Sequence, residues 1–216
     1  MWVNPLFATE ARAAVAALVR SHSLATIVTA EPLRAAHVPL MLEDVDGRMT
    51  LTGHIPRVDP VAEVIAAGER VLCVLHGPRA YVSAGWYGDP GLSTYNFSVA
   101  HLSGTASPMT EPTELRAHLV ELVAEHEQTK APVDDGPWEL DEVAHARIDQ
   151  LLPAVLGFRV EVDEAQAKVK LGQNRTHEDR ASTREHLQAS PREEERAVAD
   201  LMATAEDAPE PRRPGH

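Results

Sequence analysis

Apolar positions along the chain switch between a helical and a strand period from the first residues. Residues 9–20 (TEARAAVAALVR) set Val15, Leu18 and Val19 on one stripe behind Thr9 as a capping residue, which predicts an amphipathic helix. Three short apolar runs follow at regular spacing: Leu24–Ala30, Ala36–Leu42 and Arg48–Gly53. The last two flank Glu43–Gly47, a turn ending in Asp-Gly, so the runs predict antiparallel strands and not βαβ units. Pro60–Gly68 predicts a short helix with Pro at its start and Gly just past its end. Val71–His76 and Ala80–Ser83 read as strands around a Gly77-Pro78 turn, and Tyr95–Thr105 reads as a long strand after a Gly/Pro loop. Helices are predicted over 111–128, where Leu115, Leu119 and Leu122 recur at helical spacing, and over 141–152, with Asp134–Pro137 as the loop between them. Leu156–Val162 and Ala167–Leu171 bring the strands to seven or eight. From Gln173 the chain turns polar, and beyond Ala205 its Pro/Glu/Arg content predicts disorder. The pattern as a whole predicts a mainly β or α+β fold, a small β-barrel decorated by peripheral helices. Residues 1–187 form the expected ligand-binding domain and 188–216 a polar C-terminal tail.

Composition narrows the partners. At 216 residues and 44% apolar content the chain is long enough to bury one substantial core. Its 33 acidic against 20 basic residues give a formal net charge of −13. Affinity for a phosphate backbone comes mainly from Lys and Arg contacts, so nucleic acid is disfavoured as a partner, and so are anionic membrane surfaces. No apolar run reaches the length of a membrane span, and Met1–Pro5 lacks a basic leader followed by an apolar stretch; a cytoplasmic protein is expected. Cys73 stands alone inside the apolar run Val71–Leu75, which predicts a buried small hydrophobe and excludes an internal disulfide. What remains is a small ligand or one local basic pocket.

Eleven histidines are the first candidates for chemistry, but none pairs in a His-x-x-x-His pattern. His54 stands out at the end of an apolar strand. Gly53 before it would let a flat ligand approach the backbone, and Pro56-Arg57 after it form a rigid turn carrying a cation. A neutral imidazole fixed beside an apolar wall suits an axial haem ligand; a strand-end His hydrogen-bonded to a loop is the alternative. Tyr81, Trp86, Tyr87, Tyr95 and Phe97 place five of the nine aromatic residues close together, either to stack a flat ligand or to form a local core under the loop. Lys168 and Lys170 share one strand face and lead into Gln173-Asn174-Arg175, a basic site in an acidic chain, for an anion or as a solvated edge strand. No Gly-x-Gly-x-x-Gly, Walker A or Gly-x-Ser-x-Gly motif occurs.

Four stretches, in order, carry a family resemblance: Gly53–Pro60 (GHIPRVDP), Gly77–Ser83 (GPRAYVS), Tyr95–His101 (YNFSVAH) and Lys170–Arg175 (KLGQNR). Together they resemble the FMN-binding negative transcriptional regulators, the PaiB-like family. The resemblance implies a split β-barrel of the FMN-binding, pyridoxamine phosphate oxidase-like type, assembled as a homodimer with its ligand at the dimer interface. One branch of this family is haem-dependent, the piperazate synthases, which form an N–N bond in a side-chain-hydroxylated ornithine. The short, lysine-free loop Gly88–Ser93 and Tyr95-Asn96, where Trp-Asn is usual, are similar to that branch. Gly172–Arg175 and Asp179-Arg180 are similar to the regulators. The synthase resemblance implies haem b with His54 as its metal ligand, and Arg57, Tyr81, Trp86 and Arg175 as further cofactor-binding residues. It implies an amino-acid substrate and proton transfer by Tyr95, His101 or Lys170. The regulator resemblance implies FMN, with the same arginines on its phosphate and no turnover.

Overall fold

A computed structural model describes residues 1–130 and 136–205. Six antiparallel strands form a closed β-barrel, and the fold is a split barrel with peripheral helices. In chain order the elements are α1 (Ala11–Ser21), β1 (Leu24–Thr29), β2 (Arg34–Val45), β3 (Arg48–Pro56), α2 (Pro60–Ala66), β4 (Arg70–Val82), β5 (Thr94–Pro108), α3 (Pro112–Glu127), α4 (Glu142–Leu151), β6 (Val155–Lys170), α5 (His177–Gln188) and α6 (Glu193–Thr204). Round the barrel the strands run β1-β2-β3-β6-β5-β4. The mainly β expectation therefore holds, but with six strands among the described residues, fewer than the seven or eight expected.

Two pairs of predicted strands are each one strand. Gly77-Pro78 does not turn the chain: β4 runs straight through it, and its buried positions change from odd (Val71, Cys73, Leu75) to even (Ala80, Val82) across it. The dipeptide breaks the alternation without reversing the backbone. Asp163, Glu164 and Gln166, polar positions between two apolar runs, likewise stay within β6. The α1 cap is also displaced by one residue, because Glu10 and not Thr9 accepts the amides of Arg12 and Ala13. The predicted loop Asp134–Pro137 falls in part outside the described residues.

The chain forms two compact units. Unit 1 comprises Met1–Ser21, Leu75–His101 and residues 166–205 of its C-terminal part; unit 2 comprises His22–Val74 and the described residues of Leu102–Ala165. In unit 1, Ala80 and Leu171 form a core with Leu187, Val198, Ala199 and Met202. Within the expected polar tail, α6 contributes Val198, Ala199 and Met202 to this core. Its sequence is polar overall, but Val198, Leu201 and Met202 recur at helical spacing. In unit 2, Leu115 and Leu119 of α3 pack on Val155 of β6. Cys73 is fully buried and burial pushes its thiol up to about 12, as a buried hydrophobe requires.

Gly53 has a different use from the one its neighbour suggested. Its missing side chain points into the packed interior, where a Cβ would lie 2.8 Å from both Leu40 Cδ2 and Phe158 Cζ. Glycine is needed for packing, not for ligand approach. Gly53→Ala is expected to cost about 1–3 kcal/mol by overpacking, measured as a lower urea midpoint with an unchanged slope.

Candidate functional site

β3 decides where His54 points. Leu51, Gly53 and Ile55 are buried on one face of the strand, so Thr52 and His54 occupy the other. Across the ladder His54 is paired with Gly157 of β6. A Cβ at Gly157 would lie 2.7 Å from Leu115 Cδ1 and from Met109 Sδ. With no side chain at 157, α3 closes onto the strand pair beside His54. His118, one turn beyond Leu115, then reaches it. The His54 Nδ1 to His118 Nε2 distance is 3.3 Å, and the rings meet edge to face with centroids 5.5 Å apart.

No sequence motif joins these two histidines. His118 falls within the helix predicted over 111–128, but its separation of 64 positions from His54 hides the contact from any spacing rule. A signal existed: His118 falls on the apolar stripe of Leu115, Leu119 and Leu122, and it is only 5% exposed. Burial, and then the neighbouring His54, lower its pKa to about 4; burial lowers that of His54 as well. Both rings are neutral at pH 7. Among the described residues no hydrogen bond reaches His54 Nε2, so that nitrogen offers a lone pair to a ligand in one tautomer.

Among the described residues no group of three or more His, Cys, Asp or Glu could hold a metal ion. A metal at His54 would have to bring most of its own ligands, as porphyrin iron does. The donor set thus fits haem: one neutral imidazole nitrogen, with the other ring nitrogen already engaged. Arg57, also in unit 2, is exposed and lines a cleft of about 360 Å³ with Met109, Glu111, Pro112 and Leu152.

The other expected site residues belong to unit 1. Tyr81 and Tyr95 are half exposed and meet edge to face at 5.7 Å. Lys170 donates to the Thr94 hydroxyl and, at 2.7 Å, to the Tyr95 carbonyl. Burial and then Lys168 lower its pKa. His101 is half-buried on β5, and burial, then the chain's amino terminus and His76, lower its pKa. Trp86 and Tyr87 separate from the tyrosine pair. Trp86 stacks on His186 of α5 at 4.9 Å, and Ser182 donates to the Trp86 carbonyl. Arg175 lies over the Tyr87 ring at 4.2 Å, and Asp179 accepts the Gly88 amide at 2.8 Å. The aromatic cluster is therefore a tyrosine pair on the strands plus a loop fastened to α5.

The matching family model, described as "Putative FMN-binding domain", covers residues 1–164. The chain belongs to this FMN-binding-domain family. It is also 32% identical over 186 residues to the protease synthase and sporulation protein PAI 2 of Bacillus subtilis (strain 168), covering 85% of this chain and 87% of that protein. This makes it a PaiB-like member of the family. The flavocytochrome Anf3 of Azotobacter vinelandii shares the fold with a TM-score of 0.53 at 13% identity, over 77% of this chain and 70% of that one. An FAD- and haem-binding protein of Mycobacterium smegmatis does so with a TM-score of 0.53 at 17% identity, over 81% and 78%. No described helix of this family member is long and apolar enough to cross a membrane.

The lowered pKa of His118 sets a pH dependence. The unfolded chain takes up the proton near the ordinary value of 6.5 and the folded chain only near about 4. Stability is therefore complete above about pH 6.5 and falls by roughly 3 kcal/mol as pH drops to about 4. Melting of the ligand-free protein over that range measures it, and His118→Leu is expected to flatten the profile.

Proposed function

We propose that this PaiB-like chain is a haem-dependent cyclase that converts N-hydroxy-L-ornithine, hydroxylated on the side-chain nitrogen, to L-piperazic acid. The observation that carries the haem assignment is His54: a neutral imidazole with Nδ1 against His118 and Nε2 without a hydrogen-bond partner among the described residues. Haem proteins occur on this fold, as the names of the two structural relatives state. The substrate assignment is supported by the short loop Gly88–Ser93 and by Tyr95-Asn96.

The reaction joins the α-amino nitrogen to the side-chain nitrogen and breaks the N–O bond. The departing hydroxyl leaves as water with one proton from the α-amine, and no external oxidant or reductant is consumed. When bound, the haem iron supplies a Lewis-acid centre that weakens the N–O bond. His54 is the ligand that holds it. Holding the two nitrogens close supplies much of the acceleration, since ring closure is intramolecular. In the same proposal Tyr95, His101 and Lys170 handle the protons. His101, whose pKa is lowered, suits a base, and the Lys170 ammonium suits an acid that assists the leaving hydroxyl. A homodimer in the cytoplasm belongs to this reading.

An FMN-binding regulator is the second reading, favoured by the family match over residues 1–164 and by the relation to PAI 2. The net charge of −13 opposes DNA binding by such a regulator. The absorption spectrum of the pure protein separates the two readings: a Soret band is expected, and flavin bands alone would overturn the haem assignment. His54→Ala is expected to lose haem. Incubation with N-hydroxyornithine, followed by derivatisation, is expected to yield the cyclic hydrazine; haem-loaded protein that leaves the substrate unchanged sinks the cyclase.

A further inference from the structure

We infer that His118 is a positioning residue for the axial histidine: its Nε2 accepts the Nδ1–H of His54 and so holds His54 in the one tautomer whose Nε2 can bind iron. This rests on the haem reading above.

A proton can be placed in two ways between the rings, whose facing nitrogens are 3.3 Å apart. If His118 Nε2 carries the proton, neutral His54 has its own proton on Nε2 and has no lone pair there. If His54 Nδ1 carries it, His118 accepts and Nε2 of His54 is a ligand. Iron binding selects the second arrangement, and a fixed acceptor makes that selection inexpensive. His118 is fixed: it is 5% exposed and sits between the buried Leu115, Leu119 and Leu122 on α3. The edge-to-face angle of 67° also orients the His54 ring about its own axis.

The type of acceptor matters as much as its place. Metal-bound histidines commonly donate to a carboxylate or a carbonyl, and a carboxylate raises the ligand's basicity. An uncharged imidazole is a weaker acceptor, so His54 keeps less imidazolate character and donates less charge to the metal. That tuning suits a Lewis-acid iron better than one that must push electrons into an O–O bond. A residue that only filled space at 118 would need neither the acceptor nor the ring plane.

The test uses the haem-loaded protein with His118→Leu, His118→Asn and His118→Asp. The readouts are haem affinity, reduction potential and the iron–histidine stretching frequency of the reduced protein. His118→Leu is expected to weaken haem binding about 10- to 100-fold and to lower and broaden the stretching band. His118→Asn, which keeps an acceptor, should restore much of both. His118→Asp should raise the frequency and lower the potential. If His118→Leu folds and all three readouts match the original protein, His118 is packing alone. If that variant does not fold, an unchanged potential and frequency in His118→Asp overturn the inference instead. His54→Ala keeps the two claims apart. Haem retained with an unaltered spectrum in that variant removes the axial assignment itself. Haem lost there, with His118→Leu unchanged, removes only the role of His118.

Discussion

The close approach of α3 to the β3–β6 ladder at Gly157 is the constraint on which the candidate site depends. Register pairs His54 with Gly157, and the space left by the missing side chain is taken by Leu115 and Met109. The Met109 amide also donates to the Gly157 carbonyl at 2.8 Å, which anchors the start of the β5–α3 connection to the same point. From there helical geometry does the rest. His118 lies one turn beyond Leu115, on the side of α3 that faces the strands, and so meets the imidazole of His54. A side chain at 157 would force the ends of Leu115 and Met109 to move.

Unit 1 shows how an acidic chain uses its few cations. Lys168 lies 5.5 Å from the Trp2 ring and 5.4 Å from that of Phe97, while Lys170 serves the Thr94 hydroxyl and the Tyr95 carbonyl. Arg175 covers Tyr87, and its guanidinium donates to the Pro90 carbonyl at 3.4 Å. These half-buried cations contact rings and carbonyls. The segment Trp86–Gly88 is held by Asp179, Ser182 and His186 of α5 and by Arg175 just before it.

The barrel was legible because alternation survives in most strands: Ala25 and Ile27, Leu51 and Ile55, Val71 and Cys73 all keep to the core face. Legibility failed where local chemistry and global pairing disagree. Gly77-Pro78 carries a turn signature, yet β4 continues, and the polar Asp163, Glu164 and Gln166 stay within β6. α6 is hard to read from sequence because it opens on four charged residues, Glu193–Arg196, while its burial rests on Val198, Ala199 and Met202.

His54 was legible as a candidate from its strand end and its neighbours, but the reason given for Gly53 was not the one the packing requires. The sequence by itself determined the family, the antiparallel barrel, the single buried thiol and the acidic surface, because each is written in local order, period or composition. Only the tertiary structure decided that His118 is the partner of His54, that Trp86 belongs to α5, and that Lys170 is bound to its neighbouring strand. Those contacts join residues 64, 100 and 76 positions apart. Distances of that kind are set by ladder register and by which side chains are missing at a crossing, and no local pattern encodes them.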